Sequence, residues 1–225
     1  MRLGAVALLA LCVAEPVAAQ EAGMPLWNDP SGFTSGLSGE VGIPGSSAGG
    51  GTAFGGRLYG DTGPLSGTVG LAFWSPSAYR PGGPATPQID RVRTLSALAA
   101  FRLVGGSDGP LWVNIVGGGG WAHSSDQQSD DLNLVWGGGV AYRLPLPGSR
   151  IEPYLSLVER AHHVHGTNSA ESNLGWTLGV NAWFGRIGLF AAYDSEGRNT
   201  IGTTSNSVAI ASTSHILGGG VRLEW

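Results

Sequence analysis

Lysine is absent from this chain: all 12 basic residues are arginine. Cysteine occurs once, as Cys12, and charged residues make up only 12% of the 225 positions. Each scarcity excludes something. A single cysteine forms no intramolecular disulfide. Low charge combined with 8 tryptophans is the reverse of a disordered composition, which is rich in charge and poor in aromatics. The formal net charge of −4 argues against nucleic acid as a partner. Nowhere beyond the first twenty or so residues is there a run of about 18 apolar residues, the length a membrane-spanning helix needs. Nor does any long stretch hold a helical period. What the chain has in quantity is glycine, 39 residues of it, and a persistent alternation of apolar and small or polar positions. That pattern predicts an all-β protein.

The first segment is of a different kind. Met1 to Ala19 carries one positive charge, Arg2, then an apolar run from Leu3 to Ala14, and ends on the small residues Val17-Ala18-Ala19. It reads as a cleaved secretory signal peptide, too short and wrongly flanked to span a membrane. Cys12 lies within it and follows the bulky Leu11, so lipidation is not expected and the mature chain has no thiol. Removing Arg2 and Glu15 takes away one charge of each sign and leaves −4. Residues 20–32, with Pro25, Trp27 and Pro30, form a short lead. Residues 33–225 form the body.

About ten strands are expected in that body. Phe33, Leu37, Val41 and Ile43 share a face, as do Val69, Leu71 and Phe73, then Leu95, Ala97, Ala99, Phe101 and Leu103. The sixth strand is clearest, with Leu132, Leu134, Trp136, Val140, Tyr142 and Leu144 alternating against Asn133, Val135, Gly137, Gly139, Ala141 and Arg143. Short turns fall after strands two, four, six and eight. Longer, polar loops follow the odd strands: residues 75–89 with four prolines, then 124–130, 163–172 and 195–207. A closed antiparallel up-and-down transmembrane β-barrel with both termini on one side produces this rhythm. Eight strands are the alternative if the weak second and ninth are not strands. A secreted β-sandwich is the competing shape, but it gives no reason for alternating loop lengths.

The last stretch is Ser212 to Trp225, STSHILGGGVRLEW. His215, Leu217, Gly219, Val221, Leu223 and Trp225 fall on one face, and Ile216, Gly218, Gly220, Arg222 and Glu224 on the other. An alternating final strand ending on an aromatic resembles the C-terminal signature of bacterial outer-membrane β-barrels. The resemblance implies an exported protein of the cell outer membrane and a closing strand that pairs with the first. It also implies Trp225 as the signal read by the barrel-assembly machinery. Outer-membrane lipid and lipopolysaccharide are then the expected surroundings. Arginine suits bidentate contact with lipopolysaccharide phosphates, although composition bias is the plainer source of the missing lysine.

In a barrel one parity faces lipid and the other the lumen. The inward polar set is Glu40, Arg57, Arg102, Asn114, Asn133, Arg143, Glu152, Arg160, Asn181, Arg222 and Glu224. Glu40 with Arg57, and Arg143 with Glu152, lie on adjacent strands and are candidate pairs. A structural network filling a small barrel is preferred to an ion pathway. Inward glycines leave room for Trp74, Trp112, Trp183 and Tyr154, or else a narrow cavity. On the apolar face Phe101, Trp121, Trp136, Tyr142, Trp176, Phe184 and Trp225 read as an interfacial aromatic girdle near strand ends.

Chemistry finds little purchase. His162, His163 and His165 cluster, with Glu152 in the parity of His162, but no second group of ligands accompanies them and no metal is assigned. His165-Gly166-Thr167-Asn168 resembles the His-x-Ser-Asn segment of lipid A deacylase over four residues only, with Thr167 in place of serine and about three strands after it instead of one. Ser214 and His215 point to opposite faces. No catalytic residue, cofactor or metal is therefore expected. The reading is a small outer-membrane barrel of structural, surface-interaction or small-solute passage type. A barrel hydrolase acting on lipid or peptide at the outer rim is its alternative.

Overall fold

A computed structural model describes residues 35–45, 50–77, 91–105, 109–124, 129–164, 170–199 and 211–225. The expected leader, the lead and the segment His165–Asn168 lie outside these residues. Ten strands follow in order: β1 (Gly36–Pro44), β2 (Thr52–Thr62), β3 (Leu65–Ser75), β4 (Val92–Val104), β5 (Leu111–Ser124), β6 (Ser129–Tyr142), β7 (Ser149–Val164), β8 (Ala170–Phe184), β9 (Ile187–Asn199) and β10 (Ala211–Glu224). After a break at Arg143, the short piece Leu144–Leu146 prolongs β6 and pairs with the start of β7. There is no helix among the described residues.

Every strand pairs antiparallel with its predecessor, and β10 pairs with β1 from Gly36↔Glu224 to Pro44↔Ile216. The sheet is thus a closed barrel without edges. Both β2 and β9 are full members of the ladder, so the count is ten and the eight-stranded alternative falls.

The stagger of the barrel can be counted on its own registers. From Ala141 the partners run Tyr154, Gly179, Ala192, Gly218, Gly42, Ala53, Trp74, Val92, Ser124 and back to β6 at Ser129. The circuit returns 12 residues from its start (141 − 129). With about 3.3 Å per residue and about 4.8 Å between strands, this implies a tilt of about 40° and a backbone-to-backbone width of about 20 Å. Such a lumen needs large side chains if it is to be filled.

Glycine sits where the chain reverses. The connections after β2, β4, β6 and β8 contain Gly63, Gly105, Gly148 and Gly185, with φ of 68°, 100°, 73° and 63°. Side-chain-bearing residues reach that left-handed region only at a cost.

The long-loop end departs from expectation. β5 and β6 extend to Ser124 and from Ser129, β7 and β8 to Val164 and from Ala170, and β9 and β10 to Asn199 and from Ala211. Much of what reads as polar loop at 124–130, 163–172 and 195–207 is therefore paired strand. The reason is physical: above an apolar belt the ladder continues on backbone hydrogen bonds, but no face there is greasy, so the period of two vanishes from the sequence.

Inside the barrel, aromatic rings lie over glycines directly opposite in register. Tyr154 faces Gly179, Trp183 faces Gly188, Tyr59 faces Gly36 and Phe190 faces Gly220. A Cβ added at any of these four glycines would collide with the opposing ring. Each glycine is the seat on which a ring lies flat, the arrangement in which an aromatic covers the backbone of a strand glycine. Gly179→Ala is accordingly expected to cost about 1–3 kcal/mol by overpacking. Most of that cost should disappear when it is combined with Tyr154→Ala. Denaturant unfolding of the two single variants and the double variant checks this, and strict additivity would remove the pairing argument.

Candidate functional site

The lumen divides into two levels. Near the short turns it holds Arg57, Arg102, Arg143, Arg150 and Arg222 among Tyr59, Trp112, Tyr154, Trp183 and Phe190. Arg57 Nε donates to Glu40 Oε1 at 3.0 Å and its Nη2 to Oε2 at 3.2 Å, and both side chains are buried. Glu152 is a hub: it accepts from Arg143 Nε at 2.9 Å, Arg150 Nε at 3.1 Å and Trp183 Nε1 at 2.8 Å. Arg150 also spans to the closing strand, its Nη2 donating to Glu224 at 2.9 and 3.1 Å.

The guanidinium groups stack as well. Arg143 and Arg102 lie 4.2 and 5.1 Å from the Trp112 ring centre, Arg150 lies 4.5 Å from that of Trp183, and Arg222 lies 5.2 Å from that of Phe190. Planar, weakly hydrated guanidinium is the cation suited to such a packed site.

Farther from the short turns the lumen holds an apolar cluster beside buried polar side chains, among them Thr94, Ser96 and Thr177. Ala53, Ala72, Trp74, Val92, Leu98, Ala122, Val135 and Val158 form one buried cluster. Trp74 is 1% exposed and its Nε1 donates to the Gly50 carbonyl at 2.9 Å. Arg160 and Asp194 are also buried inside the barrel, and the Thr177 hydroxyl donates to Asp194.

The sequence-derived inward set is distributed accordingly. Glu40, Arg57, Arg143, Glu152 and Glu224 take part in ion pairs, with Glu152 and Glu224 joined through Arg150. Asn114, Asn181, Arg160 and Arg222 are buried, and Arg102 lies over Trp112. Asn133 is on β6, opposite His162 in register, and its side chain lies outside the described residues, as do those of His162, His163 and His165. Among the described residues no group of three or more His, Cys, Asp or Glu could hold a metal ion.

Sequence reasoning missed Arg150, Asp194 and the ring–glycine seats. Arg150 shares the parity of Glu152, which could have revealed it, but it adjoins the turn at residues 145–149. Asp194 sits where the apolar alternation of β9 has just ended.

The outer wall is the inverse of the lumen. Leu134 (62%), Leu178 (55%), Leu58, Val69, Ile115, Leu157 and Val221 are all exposed there. So are Phe101, Trp121, Trp136, Tyr142, Trp176, Phe184 and Trp225. These aromatics occupy two levels. Phe101, Tyr142, Phe184 and Trp225 lie beside the short turns. Trp136 and Trp176 are not near strand ends but mid-strand, because β6 and β8 run on beyond them. From Phe184 up to Trp176 is about 20 Å along the barrel axis at the tilt above, close to the height of a lipid-facing band.

Polar atoms join the outer wall at the upper level. Trp136 Nε1 donates to Glu159 Oε2 at 3.2 Å, and Tyr193 Oη lies 2.7 Å from His215 Nδ1, with Tyr193 ring-packed against both His215 and Trp176.

No protein-family model matches the chain, and no curated protein matches it. Solved structures do. The outer membrane protease OmpT from Escherichia coli is similar over 85% of this chain and 94% of its own, at 7% identity and a TM-score of 0.47. OmpT, an outer membrane protein of Vibrio cholerae, aligns over 83% of this chain at 15% identity and a TM-score of 0.37, and the aligned part spans only 64% of that protein. Neisserial surface protein A aligns over 87% and 98% of the two chains at 18% identity and a TM-score of 0.31. With every score below 0.5, these likenesses carry no conclusion about the chain.

Glu152→Ala is expected to cost about 2–3 kcal/mol, since it leaves the buried Trp183 N–H without its acceptor and the half-buried Arg143 and Arg150 without their shared carboxylate. Glu224→Ala, at a wetter pair, should cost about 1 kcal/mol. Urea unfolding in detergent micelles measures both, and equal costs would deny Glu152 its place as hub.

Proposed function

We propose that this chain is an integral outer-membrane β-barrel with a filled lumen, acting through its lipid-facing wall and long-loop rim and not as a through-channel. One observation carries the reading: burial is inverted relative to a water-soluble protein. Large apolar side chains cover the outside, while Glu152, Asn181, Arg160 and Asp194 are buried within. A backbone placed in hydrocarbon must satisfy its own hydrogen bonds, and the closed ladder does so. An outer belt of exposed leucine, valine and isoleucine bounded by two levels of aromatics suits a bilayer. In water it would be an aggregation surface far larger than a soluble monomer tolerates.

Of the roles open to such a barrel, solute passage has the least support. The Arg–aromatic layer crosses the lumen at the short-turn end and the apolar cluster occupies it above. Hydrolysis at the rim would need a nucleophile held by a base. Among the described residues, His215 hydrogen-bonds and stacks on Tyr193 and His123 stacks on Trp121, both on the outer wall. The export signal and the orientation with short turns in the periplasm belong to the same proposal.

Two measurements test it. Refolded into a planar bilayer, the protein should give no stepwise conductance; reproducible ion-selective steps would overturn the filled-lumen reading. In vesicles, Val180→Arg, midway between Phe184 and Trp176 on the outer belt, should cost about 2–4 kcal/mol of unfolding free energy, and Phe184→Arg at the short-turn edge about 0–1 kcal/mol. The opposite ranking would take the outer wall out of the membrane.

A further inference from the structure

Inside the barrel Arg57, Arg102, Arg143, Arg150 and Arg222 lie against carboxylates or rings, whereas Arg91 and Arg93 stand on the outer wall. Arg91 and Arg93 are exposed at the long-loop end of β4, on the outward parity shared by Leu95 and Phe101. No ion-pair partner for either is present among the described residues. Arg93 stands in register between Phe73 of β3 and His123 of β5, so Phe54, Phe73, Arg93 and His123 form one row across four strands. Phe54 and Phe73 stack at 5.4 Å, and the His123 ring stacks on Trp121 at 5.6 Å. Below the row the wall turns apolar at once, with Leu71, Leu95 and Trp121 exposed.

Two guanidiniums directly above an aromatic floor, at the edge of a lipid-facing belt, match one ligand chemistry: a phosphate fixed at the level of a lipid headgroup. Arginine binds phosphate bidentately, and its stem lies along apolar surface while its head stays at the interface.

The surface beneath is shaped for acyl chains. Ala97 pairs with Gly119 and Ala99 with Gly117, between Val69 on β3 and Leu134 and Trp136 on β6. Interior packing does not demand this smoothness. A Cβ at Gly67 would meet nothing within 4 Å, and one at Gly117 would meet only the Val135 carbonyl, at 3.9 Å.

We propose that the β3–β5 sector of the outer wall is a binding site for a phosphorylated glycolipid of the outer leaflet, of the lipid A type, with Arg91 and Arg93 on its phosphate and the Ala97–Gly119 trough under its acyl chains. This rests on the outer-membrane reading and on the long loops facing outward.

The test uses the full-length mature barrel refolded in detergent, with bisphosphorylated lipid A as the probe and native mass spectrometry as the readout. Dephosphorylated lipid A and phosphatidylglycerol serve as comparisons. Wild type should retain lipid A in preference to both. The double variant Arg91→Gln/Arg93→Gln should bind it about tenfold more weakly, while Arg186→Gln, an exposed arginine in a short turn at the other end, should bind as wild type does. Heat-modifiable gel migration of each variant reports whether the barrel has formed. Equal lipid A binding by a folded double variant overturns the site and leaves the barrel reading standing, as does equal retention of dephosphorylated lipid A. Preference for phosphatidylglycerol overturns the glycolipid as occupant. A wild-type protein that forms no detergent-dependent, heat-modifiable barrel overturns the parent reading and the site with it.

Discussion

Closure of the ladder between β1 and β10 governs everything else in this molecule. Once Gly36–Pro44 pairs with the final strand, no backbone edge is left and every side chain has only two destinations, the outer wall or a lumen about 20 Å wide. A lumen of that width is too large for leucine and valine to fill from ten walls. Part of the answer lies in register: a ring from one strand reaches over a glycine on the next, as Tyr154 does over Gly179 and Trp183 over Gly188. At these positions glycine and an inward aromatic ring are thus two halves of one packing device.

The layer of arginines follows from the same geometry. Charges enclosed in a barrel lose hydration, and their mutual attraction offsets that only when hydrogen bonds and partners are nearly complete. Glu152 meets this condition with two guanidiniums and an indole. Arg102 and Arg222 also lie on ring faces. Arg150 ties β7 to Glu224 on the closing strand, 74 residues away. The bridge therefore ties β7 to the closing strand across the lumen at the short-turn end.

Much of this is legible in the sequence, and the boundary of legibility has a physical cause. Where one face meets an apolar medium, alternation writes the strand into the chain, as in Leu134, Trp136, Val140 and Tyr142 of β6. The parity of Glu40, Arg57, Arg143 and Glu152 follows directly, because neighbouring strands in a hairpin share registers set by short turns. Beyond the belt both faces are polar and the signal is lost. That is why residues 124–130, 163–172 and 195–207 read as loops and why Trp136 and Trp176 read as strand ends. Arg150 and Asp194 were hidden for a related reason, each lying just past the last recognisable alternation. The ring–glycine seats depend on cross-strand register to the residue, which composition does not carry.

Charge outside the barrel obeys a different rule from charge within. Inside, guanidinium groups lie against carboxylates and rings that the chain itself supplies, which offsets lost hydration. On the wall, Arg91 and Arg93 are exposed and need no such partner to be tolerated. What distinguishes them is position, on the strand that carries Ala97 and Ala99 opposite Gly119 and Gly117. Glu159, by contrast, lies three strands beyond β4 and accepts from Trp136. The outer rim is therefore not uniform in charge around the barrel. Among the described residues, cations stand along β4 and a carboxylate at β7, so charge on the wall differs from one sector of the barrel to another.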